Sequence, residues 1–201
     1  MPRVSPAAAL AAGDPGRSTA DYILDVAGAL FFRRGFAAVG VDLIVRESGV
    51  AKMTLYRHFP SKDDLIVAWL DRVDTQFWHA FERWAGLADR PPRDRLLGVF
   101  TGLEKLVSSP QCLGCPFLLA AAEFPEPATR AHDVARRHKG RLRERLRAMA
   151  AAAGASAPDI SGDQLMLLMD GAFMAARLFG AADHPGRHVA DAAGALLSPP
   201  G

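Results

Sequence analysis

The sequence predicts an all-α chain: a three-helix head carrying a helix-turn-helix, followed by a larger helical body. Three observations predict it. Apolar residues recur at spacings of three and four along most of the 201 residues, no strand-like alternation stands out, and Pro and Gly clusters cut the pattern into helix-sized pieces. There is no internal repeat. A chain of this length can bury the core of a small head and of a second, larger domain, with expected boundaries at 1–16 for a tail, 17–62 for the head and 63–201 for the body.

Residues 1–16, rich in Ala, Pro and Gly, read as a disordered tail, without the Arg-rich amphipathic pattern of a transit peptide or the apolar run of a signal peptide. Ser18 and Asp21 can then cap a first helix whose Ile23, Ala27, Leu30 and Phe31 form an apolar stripe, ending at Gly35 before Phe36. Val41, Ile44 and Val45 give a short second helix one buried face. Gly40 is a tolerable N-cap there, and Gly49 permits the tight reversal a two-helix corner needs.

In the third helix Leu55 and Phe59 recur at i, i+4 and point inward. Lys52, Met53, Thr54, Tyr56, Arg57 and His58 fill the remaining circumference. That mixture of cation, hydroxyl, aromatic and methyl groups suits the phosphates and base edges of a DNA duplex. Pro60 stops the helix. Ser61 with Asp64 supplies a capping-box-like start for the next one, which puts Lys62 where a helix N-terminus and a cation can both face a phosphate.

Charge agrees with this reading in its distribution rather than its total. The net charge is only +2, too little for general polyanion affinity. Between residues 33 and 62, however, six cations (Arg33, Arg34, Arg46, Lys52, Arg57, Lys62) face two carboxylates, Asp42 and Glu47, a local net charge of +4. A modest patch of this kind fits a protein that grips DNA with two copies.

Beyond residue 60 a long helix over 61–85 carries Leu65, Trp69, Val73, Phe77, Phe81 and Trp84 at spacings of three and four. Breaks at Pro91-Pro92, Ser108 to Pro110, Pro125 to Pro127, Gly154 to Pro158 and His184 to Gly186 delimit further helices near 93–107, 114–124, 128–153, 161–181 and 187–197. No run approaches the ~18 apolar residues of a membrane span, which makes a cytoplasmic protein without membrane partners the expectation.

Gly35-Phe36, Val41-Asp42, Ile44, Gly49-Val50 and Thr54-Leu55-Tyr56-Arg57-His58-Phe59 stand in an order and spacing that resembles the TetR family of one-component transcriptional repressors. The resemblance covers roughly residues 18–70 by motif and, more loosely, the whole chain by helix layout. It implies a homodimer bound to double-stranded DNA at an inverted-repeat operator and released by a small-molecule effector, with no enzymatic activity, cofactor or metal. It divides the head into phosphate contacts from Tyr56, His58 and Lys62, and base-edge contacts from Lys52, Thr54 and Met53. Two positions depart from the family. Val39 and Gly40 stand where Thr or Ser often caps the second helix and touches a phosphate, and Met53 stands where a small residue or Pro is frequent, which points to apolar contact with a thymine methyl or to a shifted helix.

In family terms the surplus of large apolar residues in the body implies a pocket for an apolar or aromatic effector. The candidates are Phe77, Phe81, Trp84, Phe100, Leu103, Phe117, Met166, Met169 and Phe173, with Glu104, Glu123, Asp170 and Arg177 as polar anchors. The bland reading of any one of these is plain core. The resemblance also implies that the last two helices meet their copies as a four-helix bundle, through a stripe of Leu165, Leu168, Met169, Ala172, Ala176 and Phe179 and the small residues Gly171 and Ala175. Val189, Ala192, Ala193, Leu196 and Leu197 add to it from the final helix.

Two features invite other readings. Cys112-Leu113-Gly114-Cys115-Pro116 holds the only two cysteines, too few for a structural zinc site. Pro116 opens a helix and so places Cys115 near a dipole that lowers thiol pKa, which makes a thiol-based redox sensor or enzyme the alternative to a structural role. The run Arg130, Arg136, Arg137, Lys139, Arg141, Arg143, Arg145 and Arg147 is read as a solvated helix face rather than a second nucleic-acid surface.

Overall fold

The computed structural model describes residues 18–197. The expected tail at 1–16 lies outside them. The described residues contain helices and no strand, as the spacing of apolar residues predicts. They divide into two compact units, one made of the residues up to Val73 with Leu119–Val134, the other of Asp74–Leu118 with the residues from Ala135 onward.

The first unit opens with α1 (Thr19–Arg34), α2 (Val41–Ser48) and α3 (Lys52–His58), which pack on one another. Ser18 caps α1 as expected, its Oγ accepting from the Asp21 backbone N–H at 3.1 Å. Gly35 ends α1 at φ +86°, and Gly49 ends α2 at φ +69°, a left-handed conformation few other residues adopt without strain. Ile23, Phe31, Phe36, Ile44 and Leu55 are fully buried and form the head's core. The Tyr22 hydroxyl donates to the Ser48 carbonyl at 3.0 Å, tying α1 to the corner between α2 and α3.

Helix α4 (Lys62–Ala85) is unbroken, and Ser61 starts it by accepting from the Asp64 N–H at 3.0 Å. Trp69 fills the space beside α1, where Gly28 offers no side chain: a Cβ there would sit 2.0 Å from the indole Nε1. Residues 119–134 belong to this unit through specific contacts. The Ala37 N–H donates to Glu123 Oε2 at 2.7 Å, Phe36 and Phe124 lie 5.6 Å apart, and Arg130 pairs with Asp64.

The second unit is built from the rest of α4, α5 (Pro92–Val107), the start of α6 (Pro116–Glu123), most of α7 (Arg130–Ala152), α8 (Pro158–Phe179), a 3₁₀ turn (Pro185–His188) and α9 (Val189–Leu196). Prolines move the boundaries. α8 starts at Pro158, three residues before the position expected, and α6 starts at Pro116, two residues after it, because proline's fixed φ suits a first turn. Gly114 at φ +100° keeps the preceding residues out of helix. Phe81, Phe100, Leu103, Phe117, Leu142, Leu146, Leu165 and Met169 form the core.

The basic run on α7 is an ion-paired face. Arg141 pairs with Asp74 at 2.8 Å, Arg143 and Arg147 with Asp163 at 2.7 Å each, Arg145 with Glu82 at 3.1 Å, and Lys139 with Asp170. Among the described residues no helix is long and apolar enough to cross a membrane, and no group of three or more His, Cys, Asp or Glu could hold a metal ion.

Candidate nucleic-acid interface

Helix α3 is seven residues long and is anchored from beneath by Leu55 and by Phe59 at its C-cap, both buried. With that face fixed, Lys52, Met53, Tyr56, Arg57 and His58 are exposed, while Thr54 and Lys62 are partly covered. Met53, at 85 % exposure, is an apolar side chain held in water. Lys52 Nζ donates to Asp42 Oδ1 on α2 at 2.7 Å, and this contact holds the ammonium pKa above its usual value. Gly40 caps α2 with no side-chain hydrogen bond.

The residues expected to line an effector pocket are sorted by the fold. Phe81, Phe100, Leu103, Phe117, Met169 and Phe173 are buried in the second unit, and Phe77, Trp84 and Met166 are partly covered. Four of them gather around a residue the sequence reading passed over. His138, on α7, stacks on Phe117 with ring centroids 3.7 Å apart and meets Phe77 edge-on at 4.8 Å, while Phe77 in turn touches Phe81 and Trp84.

His138 is buried, and its Nδ1 lies 2.6 Å from Asp74 Oδ1; that carboxylate also accepts from Trp78 Nε1 at 3.0 Å and from Arg141. Burial pushes the imidazole down to about 4, against the opposing pull of the Asp74 hydrogen bond. Neutral His138 therefore donates from Nδ1. The missed signal was periodicity: Ala131, Val134, Ala135, His138, Leu142 and Leu146 share the buried stripe of an otherwise charged helix.

The proposed polar anchors are engaged elsewhere. Glu104 accepts from the Ala190 N–H, Glu123 from the Ala37 N–H, Asp170 pairs with Lys139, and Arg177 donates to the Leu113 carbonyl.

Two expectations are corrected. Leu165, Met169 and Ala176, assigned to a contact between copies, are buried within the chain's own body, whereas Leu168, Gly171, Ala172 and Ala175 of the same assignment line a surface groove. The outward stripe of α8 is Ile160, Leu167, Gly171, Met174 and Leu178, offset around the helix because the stripe with the most small residues is the one that packs closely at home. Beside it runs a groove of about 600 Å³ lined by residues of α8, the 3₁₀ turn and α9, including Leu168, Ala175, Val189 and Leu196. The Cys115 thiol was expected to be lowered by its helix start. Burial instead pushes it up, outweighing the Lys139 charge and the hydrogen bonds from the Leu118 and Phe117 backbone, and burial raises Cys112 as well.

A capped three-helix head whose third helix is held from below and presents a polar and cationic face defines a helix-turn-helix regulator. The family model described as bacterial regulatory proteins of the tetR family matches residues 23–69. A TetR-family transcriptional regulator of Streptomyces coelicolor has 30 % identity and a TM-score of 0.79, the match covering 87 % of this chain and 92 % of that one. A TetR transcriptional regulator of Streptomyces avermitilis has 32 % identity and a TM-score of 0.77, over 90 % and 97 % of the two chains. An HTH-type transcriptional regulator of Mycobacterium tuberculosis is 33 % identical over 99 residues, 49 % of this chain and 48 % of the relative, so the match spans about half the length of that curated relative. The chain belongs to the TetR family of transcriptional regulators.

Proposed function

We propose that this protein is a cytoplasmic, non-enzymatic repressor that binds an inverted-repeat operator as a homodimer and leaves it when an apolar or aromatic small molecule binds the body. The exposed face of α3, held over buried Leu55 and Phe59, carries the reading. In it Lys52, Thr54 and Met53 read base edges, with Arg57 beside them, while Tyr56, His58 and Lys62 grip phosphates. The second copy docks on the outward stripe of α8 and the groove beside α9, which supports a twofold arrangement. The aromatic cluster of Phe77, Phe81, Trp84 and Phe117 is where the effector inserts. Because α4 carries Lys62 on its first turn and Trp84 on its last, a shift of that one helix is felt at both ends.

The effector must bind the DNA-free geometry more tightly, since equal affinity for both states shifts nothing. Burial of Cys115 and partial burial of Cys112, which raise both thiols above their ordinary range, support a structural role for the pair over redox sensing. Selection of bound sequences from a random duplex pool tests the DNA reading: an inverted repeat is expected, and recovery of no common sequence would falsify it.

A further inference from the structure

The last turn of α4 and the outer face of α5 border a groove of about 490 Å³ that shares only Trp84 with the proposed effector cluster and nothing with the proposed dimer surface. Its aromatic wall is Trp84. Gly102 and Gly98 of α5 let the indole come this close, because a Cβ on Gly102 would sit 2.1 Å from the Trp84 ring and one on Gly98 would sit 2.5 Å from the Trp84 carbonyl oxygen. The indole is thus positioned against rigid helical backbone. Arg83, Arg90 and Lys105 supply three cations to the lining and Asp94 the one carboxylate.

On α7, Lys139, Arg141, Arg143, Arg145 and Arg147 all have carboxylate partners, whereas Arg83, Arg90 and Lys105 form no ion pair among the described residues. Three cations and one anion around a flat aromatic wall suit a planar organic anion. The ring lies along Trp84, and the carboxylate takes the charge-assisted hydrogen bonds that guanidinium groups make in pairs. The volume falls in the range of small-molecule sites, roughly 300 to 1,000 Å³. We infer that this groove binds an aromatic carboxylate, as a charged site that meets the apolar effector cluster only at Trp84.

The test uses the full chain without DNA and reads binding calorimetrically with three probes: 2-naphthoate, 2-naphthol, which has the ring without the charge, and acetate, which has the charge without the ring. The expected result is one saturable naphthoate site per chain, bound at least ~10-fold more tightly than either other probe, with affinity falling about 10-fold in Arg90→Ala and in Lys105→Ala. These cations are exposed, so both variants should keep the parent's melting temperature. Naphthol binding as well as naphthoate, acetate binding as well as naphthoate, or naphthoate binding unchanged in both variants would each overturn the assignment. Operator selection by the same protein stands or falls independently.

Discussion

Lys52 on α3 is held by Asp42 of the preceding helix, Nζ to Oδ1 at 2.7 Å, with both side chains largely exposed. An exposed, solvent-screened pair of this kind contributes little, so Lys52 can leave Asp42 for a base edge at small cost. Asp42 therefore orients the ammonium and, in the proposed complex, would keep a negative charge near the phosphates. Asp42→Asn is expected to tighten binding to all duplexes several-fold at low salt, with the gain shrinking as salt rises. Lys52→Ala should instead alter the selected sequence, at roughly 1–3 kcal/mol per good base contact. Gel-shift titrations against matched and scrambled duplexes at two salt concentrations distinguish the two.

Lys62, on the first turn of α4, is expected to contact a phosphate. Lys62→Ala should weaken specific and non-specific duplexes alike and reduce the magnitude of the salt slope by about one per half-site. An unchanged slope removes Lys62 from the interface.

The two faces of α8 give opposite expectations. Leu167 and Leu178 are 72 % and 71 % exposed, so Leu167→Arg or Leu178→Arg should yield a folded monomer with poor operator affinity in sedimentation and gel-shift assays. Ala172 is buried beside Gly186, and Ala172→Arg should destabilise the chain itself by about 3–5 kcal/mol, visible as a large drop in Tm. Dimers with normal affinity in both leucine variants would place the contact elsewhere.

His138 makes stability depend on pH. Its folded pKa is about 4 against about 6.5 when unfolded, so between those values the unfolded chain binds more protons and stability falls as pH drops. Above pH 6.5 the imidazole is neutral in both states and contributes no slope. His138→Phe, which keeps a ring between Phe117 and Phe77, should flatten the decline between pH 6.5 and 4 while lowering stability at pH 7, because Asp74 loses a hydrogen bond. Tm measured across that window is the check.

A Cys112→Ser, Cys115→Ser double variant should keep operator binding and its release by apolar compounds. Peroxide-driven release that disappears in this variant, with no apolar compound releasing the parent protein, would establish the thiol reading instead.

Local rules determined the head. Ser18, Gly35, Gly49, Pro60 and Ser61 each fix a cap or a turn by their own covalent geometry or hydrogen bonding, so helix ends and the outward face of α3 could be read along the chain. Periodicity also separated buried Leu55 and Phe59 from exposed Met53 and Tyr56, because a short helix against one small core has a single inner face. In the body that rule loses force. α8 is apolar around much of its circumference, and which stripe turns inward is decided by the close approach of Ala172 to the 3₁₀ turn rather than by spacing within the helix. The link from Glu123 to Ala37 and the enclosure of His138 by Phe77, Phe117 and Asp74 join residues 21 to 86 positions apart. The Cys115 thiol followed the same logic: its helix start was legible, but burial outweighed it, and burial is a property of everything packed around a residue rather than of the residues beside it in the chain.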